Sequence, residues 1–363
     1  MGYGGDLIMT ASVAAYRAHT GRRVALVKRP GLSDLLRLRL YKPSAEAAAS
    51  PIYSGNPDII LRDVQNGRSR QLLDRLDGLF WRLMSRLSLE PWLDGVLQRL
   101  CHRHAARSGL RYLYHDTIRF SYAAETLPDR MVWEDAPNAV AGVLKGFAED
   151  ERPPATHPQL PGAFYGLDAE LGQVEAMLAG EGLATGGYIV IEPSTNLEWF
   201  GDLRAWPMEN WQTLIDCLRA AFPDVEILQI GVDQGEVLAG IRDWRGRTTF
   251  RQAAALIQQS KLFIGTEGGL MHAARAVEAA AVIIWGGLTL PTFAGYPDRH
   301  AILVNEVSCA PCGLCGACPF DNACIRGISA DFAFDAAAQA LRQYQPGLRF
   351  TSQPAEGKER QAC

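Results

Sequence analysis

Four short strand-like runs, residues 188–191, 226–230, 262–264 and 281–285, follow one another with a helix pattern in each gap, over residues 207–221, 253–259 and 270–280. Strands separated by whole helices do not close as hairpins; each crossover returns the chain to the same end and sets the strands parallel. A parallel sheet is covered on both faces, which fits the runs at 188–191, 262–264 and 281–285, apolar throughout. The local chemistry agrees. Pro207 suits a first helical turn, where its missing N–H is not needed, and Thr249-Phe250-Arg251-Gln252 matches a capping box. Residues 331–344 read as a final helix. The fold class is α/β.

The first 150 residues carry the alternation more thinly. Residues 6–19 read as a helix, 23–28 as a strand and 58–62 as a second strand. Residues 70–107 read as an amphipathic helical stretch interrupted near Pro91, with Leu72, Leu73, Leu76, Leu79, Phe80, Leu83, Leu87 and Trp92 among seven arginines. Its apolar side is expected to pack on the sheet; a basic amphipathic stretch is also one that can lie on an anionic membrane. Residues 151–165 are rich in proline and mark the expected boundary between two domains. The expected division is residues 1–160, residues 161–345 and a polar, frayed tail over 346–363. A chain of 363 residues is long enough for two cores of ordinary size.

Hydrophobic residues at 48% and charged residues at 21% exclude wholesale disorder. No apolar run reaches about 18 residues, so no membrane-spanning helix is expected. The start lacks the basic flank and apolar stretch of a secretory signal, and Asp6 stands where N-myristoylation requires Ser or Thr. The expected address is the cytoplasm. The net charge of −4 hides an asymmetry: residues 1–110 hold 17 basic and 9 acidic residues, a net of +8, and the remainder a net of −12. A basic first part suits an anionic partner such as a phosphorylated lipid, a membrane surface or nucleic acid; two oppositely charged faces that attract each other within the chain are the alternative. The basic residues lack an aromatic-lined binding motif, so no nucleic-acid partner is expected.

Three segments are candidates for chemistry. In Phe263-Ile264-Gly265-Thr266-Glu267-Gly268-Gly269-Leu270-Met271-His272 a strand ends, glycines follow and a helix begins. The N–H groups from Gly268 to His272 and the positive end of the helix dipole suit a diphosphate. Ligands bind past the carboxyl ends of strands in open parallel sheets. Glu267 suits a sugar or ribose hydroxyl. The plain alternative is a tight turn before a helix. The second segment, Glu192-Pro193-Ser194-Thr195 with Arg204-Ala205-Trp206-Pro207, offers small hydroxyls and a cation to the same site if the two loops meet. The third, Gly4-Gly5-Asp6, opens a helix, and Asp6 there is either a general base at a cleft or an N-cap.

Five of the eight cysteines, Cys309, Cys312, Cys315, Cys318 and Cys324, fall within 16 residues. In a reducing compartment such a cluster favours metal over disulfides. The spacing is one residue short of a ferredoxin run, and zinc on four thiolates fits as well. On spacing alone a structural cysteine-rich loop over 309–324, reduced or zinc-bound, and an iron–sulfur cluster both stay open. No Asp-x-Asp pair is present to hold a divalent metal on a diphosphate, so no obligatory metal or other cofactor is expected.

Taken in order, Gly4-Gly5-Asp6-Leu7-Ile8-Met9-Thr10, Arg204-Ala205-Trp206-Pro207-Met208-Glu209-Asn210-Trp211, Gly265-Thr266-Glu267-Gly268-Gly269-Leu270-Met271-His272-Ala273-Ala274 and Cys309-Ala310-Pro311-Cys312 resemble glycosyltransferase family 9, the lipopolysaccharide heptosyltransferases. The resemblance is firm over residues 188–328, clear at 2–28 and thin between. It implies the GT-B architecture, two Rossmann-like domains facing across a cleft, the first binding the acceptor and the second a nucleotide-diphosphate sugar similar to ADP-heptose. It implies inverting transfer to a lipopolysaccharide core, another surface glycan or a glycolipid, at the inner face of the cytoplasmic membrane. Asp6 would be the general base, and Ser194, Thr195, Arg204, Glu267, Gly268, Gly269, Leu270, Met271 and His272 would hold the donor. The chain departs from the family at Glu267, where Asp is usual, and at Gly268, where Ser or Thr is usual. It also begins almost at the glycine–Asp turn, which a strand usually precedes. These departures keep open a non-catalytic nucleotide-sugar-binding relative, and the cysteines keep open an iron–sulfur or zinc protein.

Overall fold

The structure is a computed structural model that describes residues 2–28, 30, 32–36, 41–61, 68–89, 92–93, 96–97, 99–100, 111–115, 121–122, 131–132, 136–156, 158–194, 201–233, 235–314, 317–342 and 349–350. The chain enters through a helix, Tyr3–Thr20, ended by Gly21 in the left-handed conformation (φ 70°), whose N–H donates to the Arg17 carbonyl. The expected start at Asp6 falls three residues inside this helix. Its N-cap is Gly2, with no side-chain hydrogen bond, so the N-cap alternative for Asp6 does not hold.

In the first domain β1 (Val24–Lys28) is the hub of a sheet. It pairs antiparallel with β2 (Lys42–Pro43) and parallel with β3 (Ile59–Ile60) and β4 (Arg111–Tyr114). Strand alternation sends Val24 and Leu26 into the main core and Ala25 and Val27 to the opposite face, against Tyr112. Two short strands, β5 (Ser121–Tyr122) and β6 (Met131–Val132), form a separate antiparallel ribbon.

The second domain holds a parallel sheet of seven described strands: β7 (Tyr188–Glu192), β8 (Glu226–Gln229), β9 (Arg242–Asp243), β10 (Leu262–Thr266), β11 (Ala281–Trp285), β12 (Ala301–Val304) and β13 (Arg349–Phe350). Their spatial order is β13-β12-β11-β10-β7-β8-β9, with each neighbouring pair parallel. Tyr188, Val190, Phe263, Ile283 and Trp285 face one core, and Ile189, Ile191, Ile264, Val282 and Ile284 face the other. Both faces are thus buried, as the uninterrupted apolar runs require. The capping box forms at Thr249 and Gln252. Pro207 is the residue before the helix Met208–Ala221 rather than its first turn.

Two expectations are corrected. Arg349–Phe350 pairs with β12, so that part of the expected tail belongs to the sheet; the residues after 350 lie outside the described ones. The stretch read as packing its leucines on the sheet forms a helix, Arg68–Arg86, but Leu76, Leu79, Leu83 and Leu87 are exposed. The helix Asp168–Gly180 carries no strong sequence signal, because only Val174 and Leu178 of its apolar residues are buried.

The two halves share one core. Leu7, Met9 and Val13 of the first helix belong to the same buried cluster as Leu270, Met271 and Ala274 beyond β10. The connection before β7 is laid tightly over that helix: a Cβ on Gly162 would lie 2.5 Å from the Leu7 carbonyl oxygen, and the Ala163 N–H donates to the Thr10 hydroxyl. Buried Arg251 ties three segments together, donating to Glu170 (2.5 Å) and to the carbonyls of Pro51, Tyr165 and Gly166.

Candidate functional site

At the carboxyl end of β10 the chain turns at Gly268 and starts the helix Gly269–Ala276, again without a side-chain cap. The start of the first helix meets it. A Cβ on Gly4 would lie 2.8 Å from His272 Cδ2 and 3.3 Å from Gly269 Cα; a Cβ on Gly269 would lie 3.6 Å from the Gly4 nitrogen. Tyr3 and Phe250 meet across the same seam, with ring centroids 4.6 Å apart and planes tilted by 44°. Two uncapped helix N-termini, one from each domain, therefore converge. Each carries free N–H groups and a partial positive charge, so the pair attracts an anion.

Arg204 completes the positive edge. It ends a 3-10 turn, Gly201–Arg204, and its Nη1 donates to the Glu267 backbone carbonyl at 3.1 Å. The second sequence segment thus meets the first. The turn is seated at the end of β11, where a Cβ on Gly286 would come 2.9 Å from the Leu203 carbonyl oxygen. Trp206 anchors its exit by donating to the Ile328 carbonyl.

Arg204 leaves the carboxylates beside it under-compensated. Glu267 Oε1 accepts from the Thr289 hydroxyl at 3.2 Å, while Oε2 is buried without a hydrogen-bond partner among the described residues. Burial pushes its carboxyl up to about 7, against the pull of Arg204 and Thr289. Burial likewise pushes Glu192, at the end of β7, up to about 8, against Arg204. Burial pulls His272 down to about 4, and Arg204 adds to that direction. The His272 Nδ1 shares a 2.8 Å hydrogen bond with the Tyr296 hydroxyl. At neutral pH the site therefore holds one guanidinium, a neutral imidazole and carboxyls able to keep their protons.

The other expected donor residues divide. Gly268 and Gly269 lie at the seam. Leu270 and Met271 bury their side chains in the core and offer only backbone. Ser194 lies against the loop after β8, where a Cβ on Gly231 would be 3.8 Å from its own Cβ. Thr195 lies outside the described residues. Glu192 heads the second candidate segment but was given no role there, and Thr289 and Tyr296 carried no signal in the sequence.

Asp6 is 3% exposed and fully engaged. Its Oδ2 accepts from the Ser50 hydroxyl at 2.5 Å, its Oδ1 accepts from Tyr53 at 2.8 Å, and His115 Nε2 lies 3.0 Å from Oδ1. Burial and the Asp6 charge hold the Tyr53 hydroxyl well above its ordinary range. The carboxylate is thus turned toward residues 50–53 and the end of β4, two positions along the helix from the Gly4 seam.

Cys309, Cys312, Cys318 and Cys324 are free thiols. Burial pushes the thiols of Cys312 and Cys324 up. Their loop packs on Gly287, to whose carbonyl the Cys312 N–H donates at 2.8 Å, and Asn322 donates to the Asp202 carbonyl. The loop thereby backs the turn that carries Arg204. Among the described residues no group of three or more His, Cys, Asp or Glu is arranged to hold a metal ion; Cys315 lies outside them. No helix among the described residues is long and apolar enough to cross a membrane.

Residues 159–317 match the family model for glycosyltransferase family 9 (heptosyltransferase). Among curated proteins no match is found. The chain is similar in fold to the glycosyl transferase family 9 structure from Veillonella parvula DSM 2008, with 13% identity, a TM-score of 0.57, and coverage of 94% of this chain and 95% of that one. E. coli heptosyltransferase WaaC with ADP-2-deoxy-2-fluoro heptose aligns at 13% identity and a TM-score of 0.46, covering 93% and 97% of the two chains. The iron-containing dodecameric glycosyltransferase TibC from enterotoxigenic E. coli H10407 aligns at 16% identity and a TM-score of 0.42, covering 65% and 66%. Residues 159–317 are thus similar to the glycosyltransferase family 9 (heptosyltransferase) domain, within a GT-B fold that runs through both halves of the chain.

Proposed function

We propose that the protein is an inverting glycosyltransferase that moves a sugar, a heptose by family analogy, from a nucleotide-diphosphate donor to a glycolipid or lipopolysaccharide-core acceptor in the cytoplasm. One observation carries this reading: two uncapped helix starts and Arg204 converge at the carboxyl end of the parallel sheet. A diphosphate is an anion that uses all three. As the bond between the anomeric carbon and the diphosphate breaks, negative charge grows on the leaving group. Fixed N–H dipoles and a guanidinium stabilise that charge without reorganising. Protonated Glu267 and Glu192 avoid opposing it. Leaving-group stabilisation of this kind makes no demand on a divalent metal, and turnover in a chelator tests that.

Asp6 takes the acceptor's hydroxyl proton, and the oxygen attacks the anomeric carbon from the face opposite the diphosphate. For this the acceptor hydroxyl replaces Ser50 or Tyr53 at the carboxylate. The complete engagement of Asp6 favours a second reading, a relative that binds the donor and transfers nothing. A panel of nucleoside diphosphates in thermal-shift assays, followed by turnover with Asp6→Asn, separates the two. The expected result is selective stabilisation by one diphosphate and loss of transfer in Asp6→Asn with donor binding kept. Donor binding without turnover in the unmodified protein supports the second reading, and full turnover in Asp6→Asn removes the base assignment.

A further inference from the structure

The helix Arg68–Arg86 turns a leucine stripe to solvent. Leu76, Leu79, Leu83 and Leu87 are 51%, 59%, 51% and 54% exposed, at spacings of three, four and four residues that place them in one row. The opposite side holds the helix to the protein: Asp77 is buried, and Trp81 donates to the Pro30 carbonyl at 3.0 Å. The short helix Leu32–Leu36 packs beside it and adds exposed Leu32 and Leu36; Leu89 and Trp92 are exposed beyond its end. Isolated apolar side chains on a surface need no explanation, but an ordered row of this size marks an interaction surface.

Charge identifies the partner. Arg82 and Arg86 are exposed on the same helix, three residues from Leu79 and Leu83 and so in the neighbouring row. Residues 68–107 hold eight arginines and four acidic residues, of which Asp77 is buried. A second copy of this chain would set arginine against arginine. A bilayer of anionic phospholipid takes leucines at its acyl boundary and arginines at its phosphates. We propose that the stripe Leu76–Leu79–Leu83–Leu87 seats the protein on such a bilayer. The inference rests on the glycolipid reading only for its purpose, since vesicle binding needs neither donor nor acceptor; failed docking leaves sugar transfer standing, and failed transfer leaves docking standing.

Sedimentation of the full chain with vesicles of phosphatidylcholine, alone or with about 30 mol% phosphatidylglycerol, tests it. The expected result is binding to the anionic vesicles only, weakened by added salt. Leu79→Gln with Leu83→Gln should reduce binding about tenfold or more, and Arg82→Gln with Arg86→Gln should make its salt dependence shallower, both with an unchanged melting temperature because the positions are exposed. Equal binding to both vesicles, no binding, or a dimer in solution that the leucine variant dissociates would each overturn the proposal.

Discussion

Gly4 and His272 touch across the seam between the two domains: a Cβ on residue 4 would stand 2.8 Å from the imidazole Cδ2. His272 cannot easily yield, because its ring is buried and hydrogen-bonded to Tyr296. The absence of one methyl group therefore lets two helix starts from distant parts of the chain come together.

Gly4→Ala should cost about 1–3 kcal/mol through overpacking and weaken nucleoside-diphosphate binding at the same time. Chemical denaturation and titration calorimetry measure the two effects. Unchanged stability and affinity would mean that the helix starts are not in contact.

Arg251 is buried and holds Glu170, Pro51, Tyr165 and Gly166 through one guanidinium. Its hydrogen bond is the main reason that the Glu170 carboxyl is held below its usual range. Arg251→Met should lower unfolding free energy by about 3 kcal/mol, since it leaves polar partners behind without their donor. A loss of only about 0.5 kcal/mol, the range of ordinary surface changes, would show that the clamp contributes little.

Glu267 gives a pH signature. Its folded carboxyl titrates near 7 instead of 4.5, so between those values the folded state binds a proton that the unfolded state has lost. Its favourable contribution is complete below 4.5 and declines as pH rises toward 7. Glu267→Gln cannot lose that proton. Relative to the variant, the unmodified protein should weaken with rising pH by up to about 1.4 kcal/mol per unit. Melting curves at pH 5, 6 and 7 compare the two; parallel curves would show that Glu267 ionises normally.

Two buried histidines act in the opposite direction. Burial lowers His272 to about 4 and His300 to about 3, from 6.5. The unfolded chain protonates first, so the stability they leave intact above pH 6.5 is lost as pH falls toward those values. Both ring nitrogens of His300 are buried without a hydrogen-bond partner among the described residues. His300→Phe should therefore be neutral or stabilising at pH 7 and should flatten the acid limb of the stability profile. A variant that is markedly less stable at pH 7, with an unchanged acid limb, would show that the imidazole is satisfied.

The sequence by itself determined the parallel sheet, since uninterrupted apolar runs at 188–191, 262–264 and 281–285 with helices between them admit few other folds. It also located the glycine turn at Gly268 and Gly269 and the cation at Arg204, because backbone freedom, capping and strand ends are local properties. Tertiary structure decided what no local pattern carries. It turned Asp6 to Ser50, Tyr53 and His115, brought Gly4 to His272 and Arg204 to Glu267, and left the leucines of 76–87 facing outward. Periodicity tells which residues share a face, but only the packing of distant segments decides what that face meets.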